Sequence, residues 1–279
     1  MASEGKEISV EAVPVPGSEV VEAESVFAGR IAASAAVAAI FWIAALVTSA
    51  QAGANADNYL SSLVGLQNRM GPASLAGITK GLAVVAMISP VIFVLRAAAA
   101  RGANIPRMAP GLVVVGGILF AITSTIQPIL LVEMSKDFAN KSGLSFDEYK
   151  HLFQAGIPTL IGVGIFLGSV CLAFGVVIAS LRAMKVGLFT RFIAMVGVVA
   201  GLGLLPPEII GTFVGPGVVL FIFSVATWFL MVAAIASNRW PAGRPPAWDD
   251  GEAHPWPTAA ERREEALAAK EAKNNGKPA

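Results

Sequence analysis

Five residues carry what chemistry this sequence offers within an otherwise apolar setting: Lys80, Thr123, Gln127, Glu133 and Glu208. An ammonium, a hydroxyl, an amide and two carboxylates can line a route for a polar solute or close an ion pair. Charges surrounded by lipid are costly, so each one is a candidate for function. Lys80 lies about two turns inside its apolar run, Glu133 ends another, and Glu208 follows Pro206-Pro207. All three approach from the same side of the membrane. A Lys80–carboxylate pair therefore competes with the simpler reading, in which each side chain extends along its helix to water. Thr123 and Gln127, one turn apart, sit in the densest polar patch, with Ser124, Thr125 and Pro128. Pro128 deletes one helical hydrogen bond and crowds the Ser124 carbonyl, and neighbouring hydroxyls can take up the groups so freed. Ser89-Pro90 repeats the device on a smaller scale. The plain reading of both is a bent helix in contact with its neighbours.

Catalytic and metal chemistry find no such foothold. Glu148 and His151 share a helix face at i, i+3 spacing, but a di-metal bundle needs a second such pair and two further carboxylates. The other histidine, His254, lies in a polar tail. One cysteine, Cys171, inside an apolar run, excludes a disulfide framework and a thiolate metal site. No nucleophile elbow, phosphate-binding loop or zinc-protease motif occurs. The expectation is no catalytic residue, no cofactor and no metal. A net charge of +1 without a basic stripe gives nucleic acid no electrostatic footing.

The elements that must position these residues follow from where charge is missing. Charged residues are 14% of the 279 and hydrophobic ones 55%, against about 25% charged in soluble domains. Residues 27–237 hold only 18 of the 39 charges. Uncharged windows run between Arg30 and Asp57, Arg107 and Glu133, Lys150 and Arg182, Arg191 and Glu208, and Glu208 and Arg239, while Arg69 to Arg96 is broken only by Lys80. A helix needs ~20 mostly apolar residues to cross. These windows predict an all-α membrane protein with six transmembrane helices at about 27–50, 74–95, 109–133, 155–181, 188–206 and 213–236. The fifth window, 16 residues long, is the shortest. A β-barrel is excluded, because Gly111 to Ala121 is continuously apolar and does not alternate.

Outside the bundle, residues 1–26 read as a disordered acidic segment and 238–279 as a polar, proline-rich tail with a short helix at about 259–273, capped by Thr258 and Glu261. With six crossings, nine Lys and Arg lie near span ends on the side of the termini and five on the other. That bias predicts a plasma-membrane protein with both termini cytoplasmic. Two outer loops are expected to carry short amphipathic helices, with Tyr59, Leu63, Leu66 and Met70 in one and Phe146, Tyr149, Leu152 and Phe153 in the other. Small-residue spacings at Gly77/Gly81, Gly164/Gly168, Gly197/Gly201 and Gly211/Gly215 let helices approach closely, within the bundle or in a homo-oligomer.

The run from Lys185 to Gly203, KVGLFTRFIAMVGVVAGLG, is a basic turn feeding a glycine-spaced span. It resembles a segment that recurs in a widespread bacterial family of six-span integral membrane proteins, a domain of unknown function. Where that family often has a proline before the arginine, this chain has Thr190. Over about 27–236 the resemblance implies six spans, long outer loops after spans one and three, and a short inner turn before span five. It implies no catalytic residue. The resulting expectation is a non-catalytic membrane protein with a structural or interaction role. The alternative is a small transporter or channel-like module with a polar route near spans two, three and five, and a lipid-modifying enzyme ranks last.

Overall fold

The computed structural model describes residues 17–51, 70–140, 156–206, 218–241 and 243–257, with 261, 263–264, 266–268 and 270 beyond them. Its elements are α1 (Gly17–Gln51), α2 (Met70–Ala100), α3 (Ala109–Asn140), α4 (Ile157–Lys185), α5 (Arg191–Gly203), α6 (Val218–Ala236) and the short α7 (Ala247–Asp250). Residues 1–16, both outer-loop helices expected from the sequence, the Glu148–His151 pair, Glu208 and Gly211/Gly215 lie outside the described residues.

The chain is an all-α membrane bundle, and α1, α2, α3, α4 and α6 are each long and apolar enough to cross a membrane. The fifth expected span is shorter than predicted. α5 has 13 residues, roughly 20 Å at ~1.5 Å per residue, against a hydrocarbon core of ~30 Å. Its start is well defined, since Thr190 caps it by accepting from the Ile193 amide at 3.3 Å. Its end follows from Pro206 and Pro207, which cannot donate to a helix and disfavour helical geometry in the residue before them.

Consecutive helices from α1 to α6 are neighbours, and α6 returns to pack beside α1, closing a ring that α2 and α4 also bridge. Small residues set the spacing. Gly77 and Gly81 of α2 face Thr125 and Pro128 of α3, and Gly164 and Gly168 of α4 face Thr123 and Phe120 of α3. Gly197 of α5 lies between Ser180 and Trp228. These glycine faces are therefore occupied inside the chain, where any side chain would strike a neighbouring helix.

The helices run unbroken through Pro90 and Pro128. At Pro90 the reason is visible. The missing amide leaves the Ala86 carbonyl open, and Ser34 of α1 donates to that oxygen at 2.9 Å. Ser89 in turn donates to Ser34 at 2.8 Å. The compensating hydroxyl thus comes from the helix next door.

The two polar ends depart most from expectation. Helix α1 begins at Gly17, ahead of the expected Phe27, so 17–26 is ordered helix rather than disordered lead-in. Acidic side chains favour a helix N-terminus, and Glu24 has a specific partner. It holds Arg101 by two hydrogen bonds of 2.6 and 2.9 Å. The Arg101 side chain is 0% exposed; it also donates to the Ala247 carbonyl at 2.8 Å and to Ala97 at 2.9 Å.

Nor is the tail merely extended, for it folds back across the bundle. Trp248 is buried, stacks on Phe93, and donates to the Leu188 carbonyl at 2.8 Å. Arg101 and Arg244 both approach its ring, at 5.5 Å. The His254 amide donates to Val186 at 3.0 Å and Trp256 to Phe189 at 2.8 Å. The Glu252 amide and the adjoining His254 imidazole hold the Asp250 carboxyl below its ordinary range. The start of α1, the α2–α3 turn, the α4–α5 turn and the tail therefore share one end of the bundle.

Two measurements check these joints. Ser34→Ala should destabilise the protein by ~0.5–1.5 kcal/mol, the net worth of one hydrogen bond, and the loss should shrink in a Pro90→Ala background, where the Ala86 carbonyl regains its own amide. Glu24→Ala leaves a buried guanidinium without its carboxylate. Thermal unfolding in nonionic detergent should register a loss of about 3–5 kcal/mol, with acrylamide quenching of tryptophan rising as the tail detaches.

Candidate functional site

At the end of the bundle opposite the tail, the helices line a half-open cavity of about 660 Å³. Its lining comes from the last turns of α1, the first half of α2, the middle of α3 and α4, the residues ending α5, and the first turns of α6. Aromatic side chains form much of the wall: Trp42, Phe120 and Phe223. Trp42 is pinned, donating from its indole nitrogen to the Ile222 carbonyl of α6 at 3.0 Å. Phe120 is almost fully buried and forms part of the floor.

Polar atoms in the lining are few. Lys80 projects from α2, and its ammonium lies 5.3 Å from the centre of the Phe120 ring. Gln127 of α3 adds an amide, and Ser49 and Ser169 add hydroxyls. Ser169 donates to the Phe166 carbonyl of its own helix at 2.9 Å, which leaves its oxygen as an acceptor. No carboxylate contributes to the lining among the described residues.

Of the five residues marked by the sequence, then, two meet on this wall. Lys80 and Gln127 are brought together by the α2–α3 contact, for which Gly81 makes room against Thr125. Thr123 is placed elsewhere. It is buried against Gly164, and its hydroxyl returns to the Leu119 carbonyl at 2.7 Å. Glu133 is also apart; its side chain is 63% exposed and pairs with Lys136 at 2.7 Å. Glu208 lies outside the described residues.

Sequence reasoning missed Trp42, Phe223 and Ser169. A lone indole and a lone hydroxyl inside apolar runs were the available signals, but nothing local told which face of its helix would meet a cavity. Among the described residues no three potential metal ligands gather, and Cys171 is a free thiol beside Gly116. The arrangement can hold a mostly apolar molecule and engage one polar group on it. Neither a protein-family model, nor a curated protein, nor a solved structure matches this chain.

Proposed function

We propose that this multi-pass membrane helical protein is a non-catalytic ligand-binding module of the plasma membrane, the transporter-like of the two expected roles. One observation carries the reading: Lys80 and Gln127, distant in sequence, share the wall of one half-open cavity between the helices. A volume near 660 Å³ falls within the ~300–1,000 Å³ typical of small-molecule sites. Such sites are mostly apolar, with a few polar groups that fix orientation, and this lining has that make-up. Beneath the cavity, Met87, Leu172 and Trp228 fill the core, so passage to the far side requires the helices to move. The resemblance to six-span membrane proteins of unknown function is compatible with this role and adds nothing to the ligand.

A second reading, a structural or interaction role, draws on the other end of the molecule. There the tail is bound through Trp248 and Arg101, and helical residues beyond Glu261 extend from it. The excess of Lys and Arg on that side supports a cytoplasmic position for both termini.

Cysteine access separates the two readings. In a Cys171→Ala background, Gln127→Cys should react with a membrane-impermeant thiol reagent at least ten-fold faster than Thr123→Cys; equal protection would remove the ligand-site reading. Reporters that fluoresce only in the cytoplasm should light up when fused to either end, and a dark signal at one end would refute the shared compartment.

A further inference from the structure

We propose that Arg30 and Arg96 bind the phosphate head of an anionic phospholipid on the seam between α1 and α2, in the leaflet on the tail side. The cavity plays no part in this site, which lies toward the other end of the bundle. Register comes first. Ser89 of α2 donates to Ser34 of α1 at 2.8 Å, so these two residues share one level and mark the faces on which the helices meet. Arg30 precedes Ser34 by four residues and Arg96 follows Ser89 by seven. Each spacing returns to the same helix face. Glu24 of α1 meets Arg101 of α2 nearer the tail, so the helices run antiparallel and both arginines lie on the tail side of the serines. At ~1.5 Å per residue they stand ~6 and ~10 Å from that level, near enough in height for two long side chains to close on one group.

Depth comes second. Arg30 bounds the uncharged stretch of α1, and Arg96 closes the apolar stretch of α2. Both therefore mark the edge of the hydrocarbon, where phospholipid heads lie. Toward the membrane centre, Val37 and Val85, each about a turn from one of the serines, are exposed and give acyl chains an apolar bed.

The two guanidinia are also free to act. Arg30 and Arg96 are exposed, and among the described residues neither has a hydrogen bond or ion pair within the protein. Glu24, the nearest carboxylate along α1, is held by Arg101, and α2 carries no acidic residue. Other cations at this end are committed: Arg191 donates to the Pro257 carbonyl and Arg244 to Ile235. A guanidinium keeps its charge and meets phosphate oxygens with two parallel donors. A zwitterionic head would bring its own cation to the same place and gain less.

The test is native mass spectrometry of the full-length protein released from nonionic detergent, with phosphatidylglycerol and phosphatidylcholine of identical chains at equal concentration. Phosphatidylglycerol adducts should outnumber phosphatidylcholine adducts at least ten-fold. Arg30→Gln combined with Arg96→Gln should bring the two lipids to parity, and each single variant, which carries the comparison if the pair unfolds, should fall between. Arg30→Lys with Arg96→Lys, which keeps the charge, should retain a preference. Arg107→Gln with Arg182→Gln removes two cations from other helices of the same end and should leave the ratio unchanged. Equal adducts in the unaltered protein, a preference that survives loss of Arg30 and Arg96, or an equal fall on loss of Arg107 and Arg182 overturns the site. Displacement of the lipid by excess inorganic phosphate overturns the phospholipid as its occupant.

Discussion

Within hydrocarbon no backbone polar group can be left open, and the architecture follows from how this chain meets that demand. Water is absent as a fallback, so the backbone must close its own hydrogen bonds as helix. Proline breaks the rule locally, and the repair at Pro90 comes from Ser34 on the adjacent helix. That repair couples two elements: α1 and α2 cannot slide past one another without reopening the Ala86 carbonyl. A hydrogen bond that satisfies one residue therefore also fixes the register between helices.

Close packing and empty space are then distributed by the same logic. Where glycines meet hydroxyl-bearing turns, as at Gly77 and Gly81 against Thr125, backbones approach closely. Where α5 stops at Gly203, ahead of Pro206, its last residues face the cavity, whose lining includes Gly203, Leu204, Leu205 and Pro206. The short α5 is thus both the departure from six full-length spans and one border of the candidate site.

Much of the fold was legible because lipid imposes a one-dimensional rule. Uncharged windows locate helices regardless of what they touch, and five of the six predicted spans overlap long apolar helices over most of their length. The site was legible in part for the same reason: Lys80 and Gln127 stand out against an apolar background. Thr123 stood out equally, yet it turns its hydroxyl to its own backbone and its methyl to Gly164. Only the rotation of α3 against α4 decides between those fates. The paired ends were illegible for a further reason. Glu24, Arg101 and Trp248 are separated by most of the chain, and no local pattern links an acidic lead-in to a tryptophan among prolines.

The two ends of the bundle differ in how much holds them. At the tail end, Arg101 ties α1, α2 and α7 with four hydrogen bonds, and the Trp248 indole lies beside two guanidinia, Arg101 and Arg244. Moving any one of those elements would break charge-assisted bonds in a site closed to water, where they are strongest. At the cavity end the described contacts between helices are mainly apolar, with the Trp42–Ile222 hydrogen bond as the polar tie between α1 and α6. Apolar contacts can be exchanged for a ligand's chain at little cost, whereas buried ion pairs cannot. On the ligand-site reading proposed above, the cavity end is where the helices would part around an entering molecule, with the tail end as their common anchor.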